Sequence, residues 1–464
     1  MKTKRFICAA LLFVAMVFAE SASAQLKTSY FMEGSYFRTE LNPALAPTRG
    51  YIGLSPYSGF TFGNYSNYNS CMTFYRDGQN VGAASPLVSF NDFIGRLPNK
   101  CKESYSYNIN IFQTGFYTRN DTFWNIGSNI RLMMDGTIPK EYYKILKSDY
   151  TNGITAKDIR LNCDAYIENY IGRTFRIGDN ITLGARVKFL VGLINMNIYF
   201  NEIAANNDKY HVDGGMKAAG YIVYSSDYNG EEFPEITDDT TIAPVFDNTK
   251  SFGGAIDLGA EVRLLDNHLK LSGAITDLGF IRWSKDTMME STMTASFDKK
   301  SDVDNILGIM EDDLVEMPRF LSGYTTRLVT NINLGAEYNF LSNHFSVGAL
   351  SSTRILHGSM MSELTTSLNV RPTNWISFTA SYTLFNGNVP GVYGAAVNIH
   401  PKLINIFFGM DYISEDIEHT YGDFLVTGAP FLRSFFGDTY QLPNSFNFYL
   451  GVGFNFGRPD FLID

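Results

Sequence analysis

The side chains best suited to chemistry in this chain are few and scattered. Cys71 and Cys101 could pair as a disulfide, while Cys163 falls inside an apolar alternation where a thiol ordinarily serves as a small packing group. Glu231, Glu232, Glu235, Asp238 and Asp239 form an acidic stretch. Carboxylates are hard oxygen ligands that could hold calcium weakly, but no EF-hand spacing accompanies them, and a solvated surface accounts for them equally well. His268, His344 and His400 fall in turns, where hydrogen bonding is the usual role. There is no His-Glu-x-x-His, no Cys-x-x-Cys pair, no Gly-x-Ser-x-Gly and no phosphate loop. Gly451, Gly453 and Gly457 imitate a dinucleotide fingerprint only in spelling, because they lie in an alternating strand. The expectation is a protein with no catalytic residues, no cofactor and no metal, hence not an enzyme.

That strand is the most informative element. Phe446, Phe448, Leu450, Val452, Phe454 and Phe456 share one face, and Asn447, Tyr449, Gly451, Gly453 and Asn455 the other. Successive side chains of a strand point to opposite sides, so one face is greasy and the other small or polar. The same period recurs in Ile181, Leu183, Ala185, Val187 and Phe189, alternating with Thr182, Gly184, Arg186 and Lys188. It returns in Phe252 to Leu264, where Asp257, Glu261 and Arg263 alternate with aliphatics, and again in Ile376 to Leu384 and Ile404 to Met410. Such segments match the ~9–11 residues that a tilted strand needs to cross a bilayer.

The first 24 residues read as an export signal: Lys2, Lys4 and Arg5, an apolar run from Phe6 to Ala19, and a small-residue site at Ala22-Ser23-Ala24 that leaves Gln25 first. Losing three of 37 basic and one of 47 acidic residues leaves 34 against 46, a net charge of −12. An acidic chain argues against nucleic acid as a partner. Beyond the signal no apolar run reaches the ~18 residues of a membrane helix. Abundant Phe, Tyr and Gly suit a barrel with aromatic girdles and a crowded lumen.

Connections come in two sizes. Tight turns fall at Gly178-Asp179-Asn180, Asp266-Asn267-His268, Ser342-Asn343-His344 and Pro372-Thr373-Asn374, and long ones at about 200–250, 283–322 and 413–444. Short turns on one side and long loops on the other are how outer-membrane barrels are built. Thirteen strands can be traced from residue 105 to 456, and a chain with both ends on the short-turn side needs an even number. The fourteenth is expected within Tyr51 to Asn64, around Phe60-Thr61-Phe62. A soluble sandwich or propeller would also alternate, but its apolar faces would not run so long, nor its loops segregate by size. The fold class expected is therefore all-β: a transmembrane antiparallel barrel of about 14 strands, spanning residues 58–464, in the outer membrane and in contact with its lipid.

Asn42-Pro43-Ala44, followed by Gly50-Tyr51-Ile52-Gly53-Leu54-Ser55-Pro56, resembles the hatch segment of FadL-like outer-membrane proteins, the long-chain fatty-acid transporter superfamily of fourteen-stranded barrels. Leu271 to Trp283, with Asp277-Leu278-Gly279 at its centre, resembles a signature of a Bacteroidota family of uncharacterised barrels, and Met317-Pro318-Arg319-Phe320 and Tyr324 fit it. The superfamily also includes type IX secretion barrels. The resemblance implies that residues 25–57 form a hatch inside the lumen, either fixed or displaceable.

One strand changes phase. Odd positions are apolar from Ile181 to Phe189, and even ones at Ile194, Met196, Ile198 and Phe200. A bulge at Leu190, Val191 and Gly192 would absorb the slip. Such a kink could open the wall sideways, as in FadL-like transporters, or simply mark where the strand leaves the membrane. A helix over 301–315, with Val303, Ile306, Leu307, Met310 and Leu314 on one face, could lie over the mouth. Three roles compete: passive uptake of a small hydrophobic solute, a part in protein secretion or surface assembly with a protein partner, and surface adhesion.

Overall fold

The computed structural model describes residues 27–54, 59–68, 71–76, 79–83, 85–118, 122–147, 153–206, 209–224, 241–244, 250–284, 288–297, 323–385, 391–414 and 445–457. The wall is a closed antiparallel barrel of 14 strands. Strand β1 comes in two pieces, Gly50–Leu54 and Phe60–Ser66. The others are β2 (Lys100–Tyr117), β3 (Phe123–Pro139), β4 (Ile154–Ile177), β5 (Ile181–Asn206), β6 (Phe252–Leu264), β7 (Leu269–Trp283), β8 (Thr330–Phe340), β9 (Phe345–Ile355), β10 (Met360–Thr373), β11 (Ile376–Phe385), β12 (Val392–Ile399), β13 (Ile404–Ser414) and β14 (Ser445–Phe456). Each pairs with the next, and β14 closes on β1 through Ile52↔Phe454 and Phe60↔Leu450. All thirteen strands traced in the sequence are present, and the fourteenth lies upstream as parity required.

The period of two decides which face meets which solvent. On β14, Phe454 is 61 % exposed, whereas Asn447 and Tyr449 are fully buried in the lumen. Val187, Phe189, Leu258, Leu334, Leu368, Phe378 and Phe408 continue the outward apolar band. Rings and aliphatics turned outward around a closed sheet need lipid, since only closed sheets and helices satisfy their backbone groups within a bilayer.

The two near-copy turns fold alike. Leu265, Asp266 and Asn267 have φ of 52°, 51° and 68°, and Leu341, Ser342 and Asn343 have 51°, 50° and 66°. In each, the histidine amide closes the turn, on Leu265 O at 3.0 Å and on Leu341 O at 3.1 Å. Asx residues tolerate this left-handed backbone best.

The opposite end is elaborate. β4 and β5 run on past the wall, and Lys209–Ala219 and Met288–Phe297 extend them into an outer sheet. Ile145, Ile159, Ile203 and Val212 form its core. A hairpin of Thr73–Arg76 and Gln79–Gly82 packs with helices Phe90–Arg96 and Lys140–Lys147 around Phe74, Phe93 and Tyr143. The 301–315 helix and the acidic stretch 231–239 fall outside the described residues.

Candidate functional site: the lumen and its plug

Residues 27–49 run through the lumen and meet the wall on nearly every side. The plug starts in the outer half, where the amides of Lys27 and Thr28 donate to the Asp411 carboxylate at 2.8 and 2.9 Å and the Lys27 ammonium pairs with Glu363. It ends at the short-turn side, where Tyr117 donates to Pro47 O at 2.6 Å and Arg49 to Lys402 O at 2.8 Å. Between them, wall side chains donate to plug carbonyls: Arg371 to Phe31 at 2.9 Å, Asn405 to Gly34 at 2.8 Å, Asn333 to Leu41 at 3.0 Å and Thr174 to Pro43 at 2.6 Å. A segment with little regular structure has unpaired backbone groups, and the polar lumen supplies their partners. The wall begins at Gly50, so Gly50–Leu54 of the expected 25–57 hatch segment belong to a paired strand.

Asn42, Pro43 and Ala44 make the tightest part of this fit. The Asn42 side chain accepts from Ala44 N at 2.9 Å and donates to Tyr30 Oη at 3.1 Å. Gly184 on β5 and Gly259 on β6 are register partners. A Cβ on Gly184 would overlap the Pro43 carbonyl, and one on Gly259 the Asn42 side chain. The paired glycines form a notch that receives Asn-Pro, a requirement for close approach that no larger residue meets. On the far side Gly451 leaves room for the Phe37 ring. Phe37 stacks on Phe407 at 5.2 Å, which stacks on Tyr449 at 4.7 Å.

Two charge clusters flank the plug. Glu33 pairs with Lys270 and lies 3.9 Å from Arg371, which also binds Glu337 at 2.8 Å. Burial alone would raise the Glu33 carboxyl, but Lys270, Arg371 and Arg38 outweigh it and hold it well below the usual carboxylate range. His400, whose ring fills the space beside Gly34, is pushed down to about 4 by burial and by Arg49, so it is neutral.

The second cluster centres on Lys188. Its ammonium lies 2.5 Å from Asp277, 3.0 Å from Asp257 and 3.3 Å from Glu168, and Arg131 reaches Glu168 at 3.2 Å. Arg186 lies over the Tyr170 ring and donates to Thr39 O of the plug at 3.0 Å. Asp277 enters the lumen because β7 bulges there. Ile256 opposes Leu278 but Leu258 opposes Ile275, and Asp277 adopts φ of 60° while its amide donates to Asp257 at 2.7 Å. Thr276 and Asp277 therefore both face inward. Asp277 stands out in the sequence, whereas Glu168 and Arg131 do not. The bulge was visible as a phase change, from apolar Leu271 and Ile275 to apolar Leu278 and Phe280.

Leu190, Val191 and Gly192 lie where β5 parts from β6. Val191 opposes Phe252, and Gly192 N donates to Ser251 O at 2.9 Å, while β4 pairs alongside through Tyr166↔Gly192. Ala165 then opposes Ile194, so the extra residue is Leu193. Leu190 faces inward and packs with Tyr166, Ile281 and Trp283. A Cβ on Gly192 would come within 2.7 Å of the Trp283 ring. Leu278 and Gly279 are not part of this cluster. Leu278 faces lipid, and Gly279 lets β7 lie close against Gly254 and Ala255.

Cys71 and Cys101 share the core of the outer hairpin but are held as separate thiols, contrary to the disulfide considered from sequence. Each turns to a nearby backbone carbonyl instead, Arg96 O at 3.3 Å and Pro98 O at 3.8 Å.

A recess between Leu45, Thr48, Phe123, Thr174 and Glu261 has a volume of about 50 Å³, against ~30 Å³ for one water in the liquid. A plug seated on glycines and sealed by charges is an arrangement that blocks a straight passage.

No curated protein matches the chain. Among solved structures it is similar to a Pseudomonas aeruginosa FadL homologue at 10% identity, covering 94% of this chain and 100% of that one, with a TM-score of 0.39. It is similar to the Pseudomonas putida toluene transporter TodX at 8% identity, covering 94% and 96%, with a TM-score of 0.39. It is also similar to the translocator domain of the autotransporter NalP from Neisseria meningitidis at 9% identity, covering 88% of each, with a TM-score of 0.31. A family model matches residues 43–411, from the plug to the thirteenth strand, so the chain belongs to DUF5723, a family of unknown function.

Proposed function

We propose that this outer-membrane barrel admits a small hydrophobic solute passively. The observation that carries this reading is the division of the lumen. Its outer half holds two adjoining apolar clusters, one with Leu190, Trp283 and Leu328 and the next with Val329, Met361 and Phe385, beside the charged Lys27, Glu363 and Asp411. Its lower half is filled by the plug, packed by rings such as Phe37 and Phe407 and flanked by the two charge clusters. A water-filled channel would have polar walls throughout. A greasy solute from outside meets these clusters before it meets the plug and its charges. The exit that avoids the barrier is sideways, at Leu190, Val191 and Gly192, beside the extra residue Leu193 and where pairing with β6 stops. The plug then stays seated and the solute reaches lipid.

The outer sheet favours a second reading. β4 and β5 reach 24 and 26 residues, and their outer ends carry a separate apolar core. Such a platform suits a protein partner in secretion or surface assembly. Purification in mild detergent separates the two. Co-purified lipid or fatty acid supports uptake, and a stoichiometric protein supports assembly. Uptake of a radiolabelled hydrophobic solute by cells with and without the protein tests the first directly, and equal uptake would refute it.

A further inference from the structure

Most connections on the elaborate side of the barrel are long, but Leu356–Ser359, between β9 and β10, is four residues. It does not stand up into solvent. It folds inward across the mouth and binds the opposite wall, as β3 and β4 lie about half a turn of the ring from β9 and β10. His357 Nδ1 lies 2.6 Å from Asp135 of β3, and Nε2 lies 3.6 Å from Asp164 of β4 and 2.8 Å from Arg327 O. Ser359 Oγ is 3.2 Å from Thr137 Oγ1 of β3, and Lys102 of β2 donates to Met360 O at 2.8 Å. Leu356 is fully buried among Val329, Met361, Phe385 and Tyr412.

The partners are themselves positioned. Asn162 donates to Asp135 at 3.0 Å and Asn195 to Asp164 at 2.7 Å, so each carboxylate keeps an oxygen for the imidazole. Arg327 donates to Leu356 O at 2.7 Å and His357 O at 3.2 Å, holding the backbone of the turn from its own side. Further cations lie close by: Arg160, whose aliphatic stem lies beside Gly358, and Arg354, which interacts with Asp135. The imidazole is thus the main ionic link between the turn and the far wall.

We propose that Leu356–Ser359 is an outer gate, latched by His357 between Asp135 and Asp164, that controls access to the lumen above the plug. The latch is a small number of charge-assisted bonds on a short turn, whereas the plug is fixed by bonds along its whole length. Release of His357 would break the turn's ionic hold on the far wall without touching the bonds between neighbouring strands. The gate depends on the uptake reading only for its purpose. What passes through is a separate question, so the two can fail separately.

Access is measured with Ser352→Cys in a chain whose cysteines at 71, 101 and 163 are serines. Ser352 is buried on β9 below the turn, beside Asn333, which binds the plug. A membrane-impermeant maleimide is added to whole cells, and its rate is compared with that at an exposed loop cysteine. With the native latch, labelling should be slow. With His357→Ala it should rise roughly tenfold or more, the shift expected from losing a charge-assisted hydrogen bond. Asp135→Asn combined with Asp164→Asn keeps the shapes and should do the same. Heat-dependent gel mobility verifies that each variant is folded. The proposal is overturned if folded variants label at the native rate, or if the native latch already labels as fast as the exposed control.

Discussion

The lower half of this lumen holds the plug and the outer half is crossed by a short turn, and the two are held by different physics. Below, the plug is held by backbone carbonyls distributed along its length, by stacked rings and by a notch of two glycines. Above, a four-residue turn is tied across the mouth chiefly through one imidazole. Many weak, geometrically dispersed bonds make a closure that no single event undoes. A few strong ones make a closure that a single protonation change or ligand can release. In the proposed gate the plug is the fixed closure and the turn the moving one.

The largest effect is expected at Lys188, which supports the wall beside the plug. Lys188→Met would leave Asp257, Asp277 and Glu168 facing one another in a buried site. Removing one partner of a buried ionic cluster costs about 3–5 kcal/mol. Urea unfolding in detergent should show that loss, and a native midpoint would mean the cluster is hydrated. Next, Gly184→Val or Gly259→Val would force side-chain atoms into Asn42-Pro43. Overpacking of this kind costs about 1–3 kcal/mol. Here the protein can escape it by unseating the plug, so protease cleavage within residues 27–49 should increase while the barrel stays heat-modifiable. An uncut plug in both variants would contradict the notch.

Acidity should separate the halves. Burial opposes a proton on His357, but Asp135 and Asp164 outweigh it and hold the imidazole up at about 9. Because this value lies above that of the unfolded chain, the latch is complete below the ordinary histidine range, near pH ~6.5, and is lost as pH rises through about 9. Glu33 has the opposite sign. Its contribution is complete above the ordinary carboxylate range and is lost only as pH falls well below it. Labelling at residue 352, normalised to an exposed cysteine, should therefore climb under alkaline conditions while the plug remains protease-resistant. Parallel loss of both closures would erase the distinction. The smallest effect is expected from Thr174→Val, which deletes one bond to Pro43 O. A single such bond contributes about 1 kcal/mol, so the plug should stay seated.

The wall was legible in the sequence because its cause is local. Alternation along each strand, two sizes of connection and a parity requirement are all contained in short stretches. The Asn42-Pro43-Ala44 segment could be assigned to the lumen by resemblance, but its seat could not be read. Gly184 and Gly259 are ordinary in isolation and become a notch only when β5 and β6 pair in one register. Asp277 stood out, whereas Glu168 and Arg131 did not, since a charged residue facing a lumen looks like any other polar alternate. The phase change at Leu190 to Gly192 is plain because long alternations flank it, whereas the equal one from Ile275 to Leu278 is masked by the polar Thr276 and Asp277 between them. His357 and Asp135 are 222 residues apart, and nothing near either announces the other.

Planar-bilayer conductance tests the sealed lumen most directly. The native protein at neutral pH should show no steady channel, and a chain lacking residues 27–47 should conduct once its outer turn is unlatched by His357→Ala. A steady, large conductance from the native barrel would contradict the seal, and with it the division between a fixed plug and a movable gate.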